Sequence, residues 1–86
     1  MNVLIIHNKV DSGSDASYTN KILTDTELLG YPIIKALVEG AESNGYNEIS
    51  CDDPDYGDFC DDMDNIPAPV FPCMIDKVVT VYTLVY

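Results

Sequence analysis

The chain has 86 residues, 47% of them apolar, and carries fifteen Asp plus Glu against four Lys, for a formal net charge of −11. A chain this short supports one core and one domain spanning residues 1–86, and buries only about 60–65% of the surface its unfolded form exposes. Four scattered lysines cannot displace the counterions of a polyanion, so direct binding of nucleic acid or an anionic membrane surface is excluded, and a basic protein surface is the expected partner.

The first apolar run, Val3-Leu4-Ile5-Ile6, is broken at His7, Asn8 and Lys9. It falls far short of the roughly 18 apolar residues of a membrane span and of a secretory leader. Together with three cysteines, Cys51, Cys60 and Cys73, that cannot all pair within the chain, this gives the expectation of a cytoplasmic, non-membrane protein with free thiols. Residues 2–8 read as a central strand, covered on both faces. Residues 11–17, DSGSDAS, carry turn chemistry and read as an exposed connection.

Thr24 and Glu27 have the spacing of a capping box and predict a helical turn over residues 24–29, broken by Gly30 and by the restriction Pro32 places on Tyr31. Ile33, Ile34, Leu37, Val38 and Ala41 then recur at helical spacing. Pro32 suits the first turn, and Asn44-Gly45 suits a left-handed C-terminal cap. Residues 46–51 alternate with Ile49 and Cys51 on one face, which predicts a second strand parallel to the first through a helical crossover.

Between residues 52 and 64 seven of thirteen positions are Asp. Mutual repulsion argues for a loop there, with at most one irregular helical turn anchored by Phe59 and Met63. Pro67, Pro69 and Pro72 flank or interrupt an apolar segment, Val70-Phe71 and Met74-Ile75, read as a strand with a bulge or an edge position. The β-branched and aromatic run from Val78 to Tyr86 reads as a long strand, antiparallel to that segment. The expected fold is a small mixed α/β sheet of order β-α-β-(acidic loop)-β-β. The long helix covers one face of it. Both faces of the last strand are partly apolar, so the other face must be polar, or covered by residues 24–29, the acidic loop or another chain, and self-association or a larger assembly is expected.

The segment Ile66-Pro67-Ala68-Pro69-Val70-Phe71, with this element order, resembles the cis-proline region of the thioredoxin and glutaredoxin family. That resemblance implies a thioredoxin-like, truncated fold and a thiol redox activity. The family's chemistry needs a low-pKa thiolate at the start of its first helix, and residues 11–20 hold no Cys. Residues 12–20, SGSDASYTN, are similar to the Ser/Thr-rich phosphate loop of flavodoxin-type domains, although Asp11 and Asp15 would repel a phosphate.

An EF-hand loop with Gly57 at its sixth position would need oxygen ligands where Pro54 and Tyr56 stand, so no dedicated calcium site is expected. Cys51, Cys60, Cys73 and His7 lack the close-spaced pairs of a zinc site, and His7 has no neighbouring nucleophile, so neither a cofactor nor a catalytic residue is assigned.

The acidic segment remains as the candidate site. Asp52, Asp53, Asp55, Asp58, Asp61, Asp62 and Asp64 copy the spaced charge of a phosphate backbone, and the interleaved Tyr56 and Phe59 are the expected anchors in a partner's pocket. Small acidic inhibitors of nucleic-acid-handling enzymes, many of them phage-encoded, look like this in composition. A non-enzymatic interaction module or assembly component is therefore expected, with the thiol redox protein as the alternative.

Overall fold

A computed structural model describes residues 1–11, 17–69 and 73–85. The chain is an α/β protein whose described residues form a four-stranded mixed sheet and three helices. They run in the order β1 (Asn2–Asp11), β2 (Ser17–Thr24), α1 (Asp25–Leu28), α2 (Pro32–Gly40), β3 (Tyr46–Ser50), α3 (Tyr56–Asn65) and β4 (Lys77–Val85). The sheet order is β2-β1-β4-β3. β1 pairs antiparallel with β2 and parallel with β4, and β4 is parallel to β3.

Three expectations are corrected. Residues 17–24, which overlap the expected connection over 11–17 only at Ser17 and were otherwise assigned no element before Thr24, form a strand and pair antiparallel with β1. Of the segment 52–64, read as a loop with at most one irregular helical turn, the residues from Tyr56 on belong to a ten-residue helix, Tyr56–Asn65. The last strand has no antiparallel partner among the described residues. It lies between β1 and β3 and runs parallel to both, while residues 66–69 and 73–76 belong to no strand. Val70, Phe71 and Pro72 lie outside the described residues, as do Tyr86 and positions 12–16 of the phosphate-like loop. Because β1 is followed by a strand, Ser17 to Asn20 lead into no helix N-terminus that could hold a phosphate.

The capping box is present: the Thr24 hydroxyl accepts from the Glu27 amide, and the Glu27 carboxylate accepts from the Thr24 amide. α2 starts at Pro32 and ends at Gly40, earlier than its apolar stripe suggests. The chain then closes a turn in which the Gly45 amide donates to the Ala41 carbonyl at 2.7 Å. Gly45 has φ +81°, a conformation that costs glycine nothing.

The pleat sorts the strand residues. Val3 and Ile5 of β1, Leu23 of β2, Ile49 of β3, and Val79 and Val81 of β4 are buried with Leu28, Ile34, Val38, Ala41, Phe59, Met63 and Ile66 in one core. All three helices therefore contribute to the same side of the sheet. The even-numbered residues Leu4, Ile6, Ile22, Thr80, Tyr82 and Leu84 point the other way, stay partly exposed and have no place in that core.

Candidate functional site

The acidic segment is built on α3 and the turn before it. Within the turn, the Asp55 amide donates to Asp53 Oδ1 at 2.8 Å and the Tyr56 amide to the Asp53 carbonyl at 3.0 Å. Asp55 occupies the N-cap position without a side-chain cap. Asp52, Asp53, Asp55, Asp58, Asp61 and Asp64 are exposed and Asp62 is half-buried. Asp61 and Asp62 follow Asp58 at three and four residues, so both neighbour it on the same side of the helix. Among the described residues no cation lies within ion-pair distance of these three. Partial burial and the neighbouring Asp58 and Asp61 carboxylates push the Asp62 carboxyl above the usual aspartate range.

The two aromatics do different work from that expected. Phe59 is fully buried, with its ring edge-on to His7 at a centroid distance of 5.2 Å. It fastens α3 to the sheet and is not offered to a partner. Tyr56 is half-buried against the core beside Cys60. Burial raises the Cys60 thiol, only partly offset by its hydrogen bond with Tyr56, which leaves it a poor nucleophile at neutral pH.

Two contributors escaped the sequence reading. Lys21, on the helix-side face of β2, reaches across and donates from Nζ to the carbonyl of Ile66, the C-cap of α3, at 2.7 Å. α3 has no basic residue in its own last turn. The cation its negative end requires thus comes from a strand 45 positions away. Recognising 17–24 as a strand was the missing step, and the alternation of Lys21 and Leu23 against Ile22 and Thr24 was its signal. His7 is the second. Its Nε2 shares a 2.8 Å hydrogen bond with the buried Thr83 hydroxyl, under α3. Burial lowers its pKa, Asp64 opposes that shift, and Lys9 adds to it.

A cavity of about 370 Å³ lies away from α3. Val3, Leu28 and Val38 line its apolar part, and the Lys35–Glu39 and Lys77–Glu42 pairs border it. Among the described residues no group of three or more His, Cys, Asp or Glu side chains is placed to hold a metal ion. No helix of the described residues is long and apolar enough to cross a membrane. No family model matches the chain, and neither a curated protein nor a solved structure is found to be similar to it.

Proposed function

We propose that the chain is a non-enzymatic acidic interaction module that engages a basic protein surface through α3 and the turn before it. It would act as an inhibitor of phage type or as an assembly component, in the cytoplasm. The observation that carries this reading is the charge arrangement on α3. Four Asp and no basic residue occupy ten helical positions. Like charges at helical spacing are destabilising, and Asp61, Asp62 and Asp64 also oppose the negative end of the dipole. A helix kept in spite of such local cost is where a functional surface is expected. A partner that brings Lys or Arg to the stripe removes the repulsion, so binding is favoured by the strain it relieves. Carboxylates on a rigid helix are also spaced more reproducibly than on a loop. The free thiols of Cys51, Cys60 and Cys73 suit a reducing compartment.

The test compares two triple variants by calorimetry against the basic protein that co-purifies with the chain from its native source. Asp58→Asn/Asp61→Asn/Asp62→Asn removes three unpaired charges. Asp25→Asn/Glu39→Gln/Glu42→Gln removes three charges already engaged in ion pairs. The α3 variant should lose affinity and salt dependence, and the control should keep both. Equal losses would mean that only net charge matters. No loss in either would end the acidic-surface reading.

A further inference from the structure

We infer that the face of the sheet opposite the helices, which among the described residues is approached only at the Ile22 edge by residues 67–69 and Cys73, is the interface of a symmetric dimer of this chain, a surface separate from the acidic helix. The apolar part of this face is Leu4 and Ile6 of β1, Ile22 of β2, Tyr46 of β3, and Val78, Tyr82 and Leu84 of β4, with Asn8, Asn20, Ser50 and Thr80 among its uncharged polar positions. Val78 is 49% exposed and Tyr46 44%. The Tyr46 and Tyr82 rings already meet edge to face, at a centroid distance of 6.0 Å. The helices add nothing to this side, since every helical core residue packs with the odd-numbered strand positions.

Charge and area choose the occupant. Among the described strand residues that point to this side, Glu48 is the only charged one, on a chain of net charge −11. A basic partner finds the single carboxylate of Glu48 to pair with, and an acidic one finds nothing to attract it. A neutral apolar surface is complementary, and a second copy supplies one. Two sheets packed face to face sit about 10 Å apart. Each acidic helix would then lie on the far side of its own sheet, so the two α3 stripes are separated by well over the Debye length of about 10 Å at 0.1 M salt. Self-repulsion is thus weakest in this arrangement. Four strands at about 4.8 Å spacing and nine residues at about 3.3 Å give a face on the order of 500 Å². The pair buries about 1,000 Å², the lower bound for a specific interface, so a reversible dimer is expected.

Sedimentation velocity on serial dilution tests this. The protein should sediment at twice the monomer mass when concentrated and dissociate on dilution. Raising salt to about 1 M, where the Debye length is about 3 Å, should leave the dimer unchanged or tighten it. Thr80→Lys/Leu84→Lys places charges across the two-fold axis and should weaken the dimer by more than about tenfold, with the far-UV spectrum and thermal transition retained. If that variant fails to fold, the more exposed Val78→Lys decides alone. Asp58→Asn/Asp61→Asn/Asp62→Asn should dimerise like the parent. A monomer at every concentration overturns the proposal and leaves the face to a different protein. So does a dimer that survives the sheet-face charges, or one that only the α3 variant disrupts.

Discussion

α2 and α3 are nearly equal in length and lie on the same side of the sheet, yet they are held there by different means. α2 is supported from within: Pro32 opens it, Ile34 and Val38 face the core, and Lys35 pairs with Glu39 one turn on. α3 has an uncapped N-terminus, no cation of its own and four Asp. What keeps it helical is tertiary, namely the burial of Phe59, Met63 and Ile66 and the reach of Lys21 to its last carbonyl. Each fully buried side chain of that size contributes about 1.5–3 kcal/mol, whereas each like-charge pair on the helix costs about 0.2–0.5 kcal/mol. Packing therefore wins, and charge on the solvent side is left free for another role.

The comparison breaks most sharply at Phe59. Phe59→Ala should cost about 3–5 kcal/mol and remove the largest of the buried side chains that hold α3 against its repulsion. Ile34→Ala should cost about 2–5 kcal/mol with α2 still helical. Denaturant titration measures the loss, and amide exchange shows whether protection disappears from residues 56–65 alone. Equal protection of α3 in both variants would contradict a helix held by packing.

Lys21→Met comes next. It keeps the apolar stem, removes the donor to Ile66, and should cost about 1.5–3 kcal/mol, the range for a hydrogen bond to a charged group. Because the lost partner is an ammonium facing the helix dipole, the fraying should begin at Asp64 and Asn65. A loss spread evenly over the sheet would assign Lys21 to packing instead.

How much of this was legible in the sequence follows the same division. The capping box at Thr24, the start of α2 at Pro32 and the strand over residues 46–50 rest on local signals, and all three are present. α3 rests on contacts with residues far away in the chain, so its own composition argued against it. That one error propagated. With 56–65 taken as a loop, β4 was matched to its apolar neighbour in an antiparallel pair. With those residues helical, β3-α3-β4 is a crossover unit long enough to join two parallel strands, as β3 and β4 are. The antiparallel partner β2 was hidden because its sequence, SYTNKILT, is polar at a sheet edge and follows turn residues. As for the site, six of its seven carboxylates lie exposed and Asp62 is half-buried, while Phe59, read both as the anchor of a helical turn and as an anchor in a partner's pocket, serves only the packing of α3.

Asp58→Asn/Asp61→Asn/Asp62→Asn should have the opposite sign to the first two changes. Relief of the like-charge pairs should add up to about 1 kcal/mol to stability at low salt, and less as salt screens the repulsion. The same variant is expected to lose the partner, so gain of stability and loss of binding should appear together. A variant no more stable than the parent at low salt would show that α3 bears no electrostatic strain.

The smallest effect is the pH dependence. Burial holds His7 below its ordinary value of 6.5, so the unfolded chain takes up a proton first as pH falls. Its contribution to stability is complete above pH 6.5 and declines between 6.5 and the lower folded value. Asp62 has the reverse sign: its folded pKa lies above the ordinary 3.8, so the folded chain is protonated first and stability rises as pH falls through that folded value. The curve should therefore lose stability just below pH 6.5 and recover part of it nearer pH 4. His7→Gln, which can still hydrogen-bond Thr83, should flatten the upper limb alone, and Asp62→Asn the lower limb alone. Denaturant titrations across that range check both, and an upper limb of unchanged slope in His7→Gln would remove His7 from the account.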